Sequence, residues 1–249
     1  MSETRTANAF ALAGVMFFLG LIGIVSTLSM PVPVAKPEGL NVSDETFKIL
    51  LLLNPTILLL VAAAVGTPAA RAVGLRAPAI EAMLTRGSIG AALRPMLKPA
   101  AIVAIATATV LLGYGAMTSA MELIPKGAAE AAAPSLAVRL LYGGMTEEVL
   151  LRWGAMSLFA WLFTRVKMAD AAFWLANLAA ALLFAAGHLP FLFSVVPDAS
   201  PVLVAAVLVG NAIPGLLFGW LFWRKGIEAA MLAHAGGHFL AWSAGLLLA

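Results

Sequence analysis

Residues 171–193 read AAFWLANLAAALLFAAGHLPFLF, an apolar stretch whose only titratable side chain is that of His188. Its length matches the roughly 20 residues that an α-helix needs to cross the hydrocarbon core of a bilayer. A strand of a membrane β-barrel would instead run for about 10 residues with alternating polarity. The stretch therefore predicts a membrane-spanning helix that carries a histidine.

Comparable apolar segments recur along the whole chain and set the fold class. The composition is 62% hydrophobic and only 11% charged, whereas soluble proteins carry about a quarter charged residues. We expect an all-α fold, a polytopic transmembrane helical bundle with about seven spans, near residues 10–28, 47–66, 100–121, 136–163, 171–193, 202–223 and 227–248. Residues 1–249 would form a single integral membrane domain, with peripheral spans and loops in 1–135 and a motif-bearing half in 136–249.

The longest connection lies between the second and third spans. Its pieces 79–84 and 89–97 mix apolar and basic residues, as an amphipathic helix on an anionic membrane surface does. The connection holds one acidic residue, Glu81, against five basic ones, which are Arg71, Arg76, Arg86, Arg94 and Lys98. Because cytoplasmic loops are enriched in Lys and Arg, we expect a cytoplasmic amphipathic helix, a cytoplasmic amino terminus and a carboxyl terminus outside.

The composition also disfavours several kinds of function. The chain has no cysteine, so a disulfide framework, a thiol nucleophile and a thiolate metal ligand are excluded. The net charge of +3 is dispersed among the loops, which does not indicate nucleic-acid binding. The short loops and small size favour a bacterial protein of the inner (plasma) membrane.

The run TEEVLLR at residues 146–152 places three ionisable side chains inside the fourth span. Each such group costs roughly 2.5–3.5 kcal/mol to insert at the bilayer centre. Glu148 and Arg152 are four residues apart on a helix, so they share a face and can form an ion pair. Glu147 points about 100° away from Glu148, and we expect it to face a cavity. Two adjacent carboxyl groups in a low dielectric do not both ionise easily, which suits one of them to act as a general base.

All three histidines follow this run, inside later apolar segments. His188 ends the run FAAGH, one turn after Phe184, while His234 and His238 bound the run HAGGH. Histidines four residues apart project from one helix face, so they can bind a metal or hold a substrate between two imidazoles.

Together these residues form the inventory of a hydrolase, provided that the fourth, fifth and seventh spans pack together. A hydrolase needs a carboxylate base, imidazoles that position water or a metal, and hydrogen-bond donors for an oxyanion, and these residues can supply all three. Structural ion pairs and helix contacts explain single members of this group but not their concentration. A haem protein or a proton-relaying transporter is a further alternative, but it leaves the adjacent glutamates and their arginine unexplained.

The order of these motifs resembles that of the CPBP intramembrane proteases, which comprise the CAAX prenyl endopeptidases and the Abi-type bacteriocin-processing or self-immunity proteins. That family carries EExxxR, then FxxxH, then HxxxN or a variant, on successive membrane helices. Here the motifs read EEVLLR from 147, FAAGH from 184 and HAGGH from 234. The resemblance covers about residues 136–249 and implies a CAAX-protease-like intramembrane (metallo)endopeptidase.

The resemblance implies a role for each motif residue. Glu147 would be the general base that activates the attacking water, and His188 would help to hold that water. Glu148 and Arg152 would orient the site. His234 would stabilise the tetrahedral oxyanion, assisted by the residue four positions on.

That last position is occupied by His238, where members of the family commonly have asparagine. An imidazole donates a hydrogen bond as an amide does, but it also ligates metals. The departure weakens the oxyanion role of His238 and favours a tentative zinc site formed by His188, His234 and His238. The resemblance leaves a metal-bound water and a glutamate–histidine mechanism both open.

The expected partners are membrane lipid and a peptide or membrane-anchored protein substrate. Prenylated CAAX proteins, bacteriocin leaders, membrane-anchored regulators and other lipidated peptides all fit this description. The alternative is a catalytically silent member of the family that acts as an immunity or scaffold protein in the membrane.

Overall fold

The computed structural model describes residues 6–30, 36–125, 127, 133–166 and 171–248. All regular secondary structure among these residues is helical, which confirms the all-α fold class. We number the helices α1 (Ala9–Ser26), α2 (Asp44–Leu51), α3 (Leu53–Val73), α4 (Pro78–Leu84), α5 (Ile89–Ala120), α6 (136–165), α7 (Ala172–Gly187), α8 (Leu189–Val195), α9 (Pro201–Lys225) and α10 (Ile227–Leu248).

Five of the described helical segments are long and apolar enough to cross a membrane, namely Ala9–Ser29, Asp44–Val73, Ile89–Ala120, Ala172–Val195 and Pro201–Lys225. The polytopic helical bundle is therefore confirmed. The predicted fourth and seventh spans coincide with α6 and α10, which do not count among these five. Both helices carry ionisable residues, those of the EExxxR motif in α6 and of the HxxxH motif in α10, which lowers their hydropathy. The number of about seven spans stays a prediction.

Helix α6 has wider turns than an ordinary α-helix over most of its length. It is π-helical from Arg139 to Glu147 and again from Val149 to Met156. Turns of this kind are rare and often occur at functional sites. They hold more residues than an α-helical turn, so the angle of about 100° between Glu147 and Glu148, which was derived for an α-helix, does not apply here.

Two glycines allow α10 to approach α6 closely. A Cβ atom added at Gly143 would lie 3.2 Å from His234 Nε2 and 3.3 Å from the His238 ring, and one at Gly144 would lie 2.8 Å from the Ala235 Cβ. These contacts are tighter than ordinary van der Waals packing. The absence of side chains at both positions therefore lets the histidines of α10 lie directly against the backbone of α6.

Helices α1 and α3 hold α6 from another side. The buried Thr146 hydroxyl donates a hydrogen bond to the Gly20 carbonyl on α1 at 2.7 Å. On α3, Thr67 Oγ1 accepts a hydrogen bond from the indole N–H of the fully buried Trp153 at 3.0 Å. Polar contacts in an apolar surrounding are specific in direction, so these two bonds fix the rotation of α6 about its axis.

Helix α9 approaches α7 through a GxxxG pair, as small residues at helix interfaces do. A Cβ atom at Gly215 would lie 3.2 Å from the Ala181 Cα, and one at Gly219 would collide with the side chain of Asn177. The Asn177 amide donates to the Leu216 carbonyl at 3.0 Å. This packing brings α7, which ends at the first motif histidine, beside α9.

The predicted amphipathic helix corresponds to α4, which has seven residues and buries Ala79 and Ile80. The Ile80 N–H donates to Glu228 Oε1 on α10 at 2.9 Å, so α4 docks against the start of the helix that carries two histidines. The second predicted piece, 89–97, is continuous with α5, whose 32 residues exceed the roughly 20 needed to cross the hydrocarbon core. The cytoplasmic position of this region stays a prediction.

Candidate active site

The carboxylate of Glu148 lies at the centre of the candidate site and is fully buried. Its Oε1 lies 2.8 Å from His234 Nδ1 and 3.2 Å from Arg152 Nη1. An ionised carboxylate only accepts hydrogen bonds, so the imidazole donates through Nδ1. The ion pair with Arg152 is the one that the four-residue spacing predicts. The Glu148 carboxylate thus contacts Arg152 on its own helix and His234 on α10.

The guanidinium of Arg152 is also fully buried. Its Nη2 donates to the Gly215 carbonyl on α9 at 3.0 Å. The guanidinium carbon lies 4.7 Å from the ring centroid of Phe184 and 5.4 Å from that of Phe218, within the range of cation–π attraction. Phe184 is therefore part of the interior of the site, in contact with its cation.

The imidazole of His234 has two stacking partners and one hydrogen bond. It stacks on Phe218 with 4.5 Å between ring centroids and on His238 with 5.1 Å between centroids. Because Nδ1 is occupied by Glu148, the free ring nitrogen is Nε2, which lies 3.7 Å from Glu147 Oε2. The carboxylate–imidazole hydrogen bond fixes the orientation of the ring, as in hydrolytic triads.

Glu147 differs from its neighbour in accessibility. Its side chain is 18% exposed, whereas that of Glu148 is 0% exposed. Glu148 makes both close polar contacts, while Glu147 approaches only His234 among the charged partners in the described part of the chain. Of the two carboxylates, Glu147 is the one that a substrate or water molecule can reach.

The remaining histidines approach from two further sides. His188 lies at the break between α7 and α8, and its Nδ1 is 2.8 Å from the Phe184 carbonyl. A carbonyl accepts, so His188 donates through Nδ1 and leaves Nε2 as an acceptor. His238 stacks on His234, and its Nδ1 is buried without a hydrogen-bond partner among the described residues.

The three histidines line a small cavity of about 40 Å³. Space of about 10–15 Å³ by this measure is enough for one water molecule, so the cavity can hold water. Its lining includes His188, His234 and His238 together with Thr107, Asn211 and Phe218. Neither glutamate is part of that lining in the described residues, and the link of Glu147 to the cavity is its contact with His234, at 3.7 Å between Oε2 and Nε2.

A larger apolar groove of about 370 Å³ lies between α5 and α9. Its lining includes Tyr114, Met117, Val202, Val209 and Gly210. Gly210 also lines the cavity that holds the histidines. The groove is therefore adjacent to the candidate site, and its volume falls within the range of about 300–1,000 Å³ found for ligand pockets.

Within the described residues, no three His, Asp or Glu side chains are grouped as a metal-ligand set. Two of the three histidines of the tentative zinc site already use Nδ1 in hydrogen bonds, His188 with a carbonyl and His234 with Glu148. These hydrogen bonds leave Nε2 of both rings free, as is usual for histidines that bind a metal through the other nitrogen. Zinc binding by His188, His234 and His238 stays a prediction.

The structure adds residues that carried no signal in the sequence. Phe218 and Thr107 line the site, and Gly143 makes room for two imidazoles. An isolated phenylalanine or threonine in an apolar segment is common in any membrane helix, so no pattern distinguishes Phe218 or Thr107. Only Gly143 had a possible cue, since it lies one turn before the paired glutamates.

Comparison with known proteins gives one match. Residues 128–240 match the model of the family described as type II CAAX prenyl endopeptidase Rce1-like. The match contains all three motifs and confirms the resemblance to the CPBP and CAAX proteases. It supports a CAAX-type intramembrane protease, embedded in the membrane through its apolar helices. No curated protein and no solved structure matches the chain.

We expect Arg152→Met to destabilise the fold by about 3–5 kcal/mol, because it leaves the buried charge of Glu148 without its cation. The double variant Glu148→Gln with Arg152→Met removes both charges, so it should unfold at a higher denaturant concentration than the single variant. The measurement is denaturant unfolding of the purified protein in detergent.

The control is Arg224→Met, which alters an exposed arginine at the end of α9 and should change stability by no more than about 0.5 kcal/mol. If the single and double variants lose stability equally, the ion pair is not what keeps Arg152 in place.

Proposed function

We propose, from the place of residues 128–240 in the type II CAAX prenyl endopeptidase Rce1-like family, that this chain is an intramembrane endopeptidase. It hydrolyses a peptide bond in or near the bilayer with a water molecule activated by Glu147. The observation that carries the proposal is the buried Glu148, which holds His234 with its free Nε2 3.7 Å from the accessible Glu147 carboxylate.

The reaction is a hydrolysis in two proton transfers. The Glu147 carboxylate takes a proton from water as the water oxygen attacks the carbonyl carbon of the scissile bond. The tetrahedral intermediate then collapses, the C–N bond breaks, and the proton passes from Glu147 to the leaving amine nitrogen. The products are a new carboxyl terminus and a new amino terminus. A positioned base of this kind contributes about 10²–10⁴-fold to the rate.

The imidazoles act around this exchange. His188 holds the water, because its Nε2 is left as an acceptor by the hydrogen bond of Nδ1 to the Phe184 carbonyl. His234 stabilises the oxyanion through Nε2–H when it is doubly protonated, a state that the ionised Glu148 favours through its contact with Nδ1. His238 stacks on His234 and supports the same role. Each of these steps proceeds through protein side chains alone.

The groove between α5 and α9 gives an apolar part of the substrate a route to the site. It opens among exposed apolar side chains such as Val202 and Val209 and shares Gly210 with the lining of the cavity that holds the histidines. An apolar or lipidated segment of a membrane-anchored peptide fits such a lining. Because the lining is apolar like the lipid, the segment can pass from lipid into the groove without a change to a polar environment. The substrate class we propose is therefore a peptide with an apolar segment beside the scissile bond.

We expect Glu147→Gln to abolish cleavage with little effect on folding, since the amide keeps the shape of the side chain but cannot accept the proton of water. The measurement compares protein termini in membranes and medium from cells that express the wild type or the variant. Termini found only with the wild type identify the cleavage sites and hence the substrate.

The matched control is Glu45→Gln, an exposed glutamate in the first turn of α2, which should leave all termini unchanged. Repeating the wild-type comparison with a chelator tests the zinc site: loss of cleavage that added zinc restores would replace the metal-free scheme. Identical termini for wild type and Glu147→Gln at equal expression would contradict proteolysis and leave the immunity or scaffold role.

We expect Val209→Trp to slow cleavage mainly through a higher KM, because the larger side chain fills the groove without touching the motif residues. The control is Leu182→Trp on α7, which has nearly the same exposure (55% against 56%) but lies outside the groove lining. The rate of cleavage of a peptide that contains an identified site provides the measurement. Equal KM values for the two tryptophan variants would show that the substrate does not use the groove.

A further inference from the structure

Thr107 on α5 carries a buried hydroxyl group that no motif accounts for. Its side chain is only 2% exposed, and Oγ1 has no hydrogen-bond partner among the described residues. Buried polar side-chain atoms are normally hydrogen-bonded, so each exception calls for an explanation. Thr107 lines the same cavity as His188, His234 and His238.

Other threonines on these helices satisfy their hydroxyl groups locally. Thr67, Thr109 and Thr118 donate to the carbonyl four residues earlier at 2.8, 3.0 and 2.9 Å. This back-bond is the ordinary solution for a threonine in a helix. Thr107 lacks it although it lies in the middle of α5, so its hydroxyl is available to a group inside the cavity.

The packing of α5 on α10 brings Thr107 to the catalytic histidines. A Cβ atom at Gly237 would lie 2.6 Å from Thr107 Cγ2, and one at Gly236 would lie 3.0 Å from the Ala104 Cβ. The two glycines between His234 and His238 therefore seat α5 against α10. Thr107 is the residue of α5 that this contact places beside the imidazole pair.

The chemistry of the cavity indicates what the hydroxyl contacts. His234 donates from Nε2 only in its doubly protonated form, because Nδ1 is occupied by Glu148. A threonine hydroxyl donates in any protonation state of the site.

Resting on the proposed function, we infer that Thr107 is a further catalytic residue, whose hydroxyl donates a hydrogen bond to the oxyanion of the tetrahedral intermediate. Thr107 lies outside residues 128–240, so the amino-terminal half of the chain completes the site.

The test compares Thr107→Val, which removes the hydroxyl at nearly constant shape, with Thr107→Ser, which keeps it. The substrate is a quenched fluorescent peptide that contains a cleavage site found in the comparison of termini. Loss of one oxyanion donor lowers kcat by about 10²–10³-fold, so Thr107→Val should lose kcat with little change in KM. Thr107→Ser should retain kcat close to that of the wild type.

The matched control is Thr109→Val on the same helix, whose hydroxyl bonds to its own backbone and whose loss should leave kcat unchanged. Thermal unfolding of each variant reports the folded fraction. Wild-type kcat in Thr107→Val, or a loss of kcat no larger than the loss of folded protein, would overturn the inference. Equal loss in Thr107→Ser and Thr107→Val would also overturn it, since packing rather than the hydroxyl would then matter. Either result leaves the proposed function standing as long as Glu147→Gln is inactive.

Discussion

The buried carboxylate of Glu148 is the constraint on which the rest of the structure depends. An unpaired charge at this depth is strongly destabilising, so the fold must supply partners for both Glu148 and Arg152. It does so from several helices: His234 on α10 contacts Glu148, while the Gly215 carbonyl on α9 and the ring of Phe184 on α7 contact Arg152. Satisfying one ion pair thereby fixes the relative positions of the helices that form the site.

Small residues make this arrangement sterically possible. Gly143 on α6, Gly215 on α9 and Gly237 on α10 each face a neighbouring helix at a distance that a Cβ atom would strain. In lipid, helices gain little from burying apolar side chains against one another, and association relies on close packing and interhelical hydrogen bonds. Here the close approaches occur beside the motif residues. The features that hold the bundle together are therefore the same features that assemble its polar interior.

The division of labour between the two glutamates follows from this packing. Glu148 is fully buried and contacts Arg152 and His234. Glu147 is partly exposed and lies next to Nε2 of His234. In the proposed mechanism, Glu148 orients His234 and Glu147 activates the water. Thr107 and Gly210 line the cavity of the three histidines, so α5, a helix that carries no motif, also contributes to the candidate site.

The sequence allowed the helical class, the ion pair of Glu148 with Arg152 and the gathering of the three histidines to be predicted. A charged residue in an apolar run and the spacing of two residues along a helix are local features of the sequence. Both determine contacts that the folded protein makes. The π-helical turns of α6 were not predictable, because backbone propensity does not encode them. The roles of Phe218 and Thr107 depend on which helix faces which, and common apolar or small residues carry no information about that partner.

The central claim is that Glu148 holds His234 in the orientation that hydrolysis requires, and ¹⁵N NMR of the histidine side chains in lipid bilayers tests it most directly. The chain has only three histidines, so their ring nitrogens can be resolved. We predict that His234 carries a proton on Nδ1 in a hydrogen bond to Glu148, and that Glu148→Gln shifts this resonance while leaving the Nδ1 resonance of His188, which donates to the Phe184 carbonyl, unchanged. A spectrum in which His234 is protonated only at Nε2, with no response to Glu148→Gln, would contradict the account.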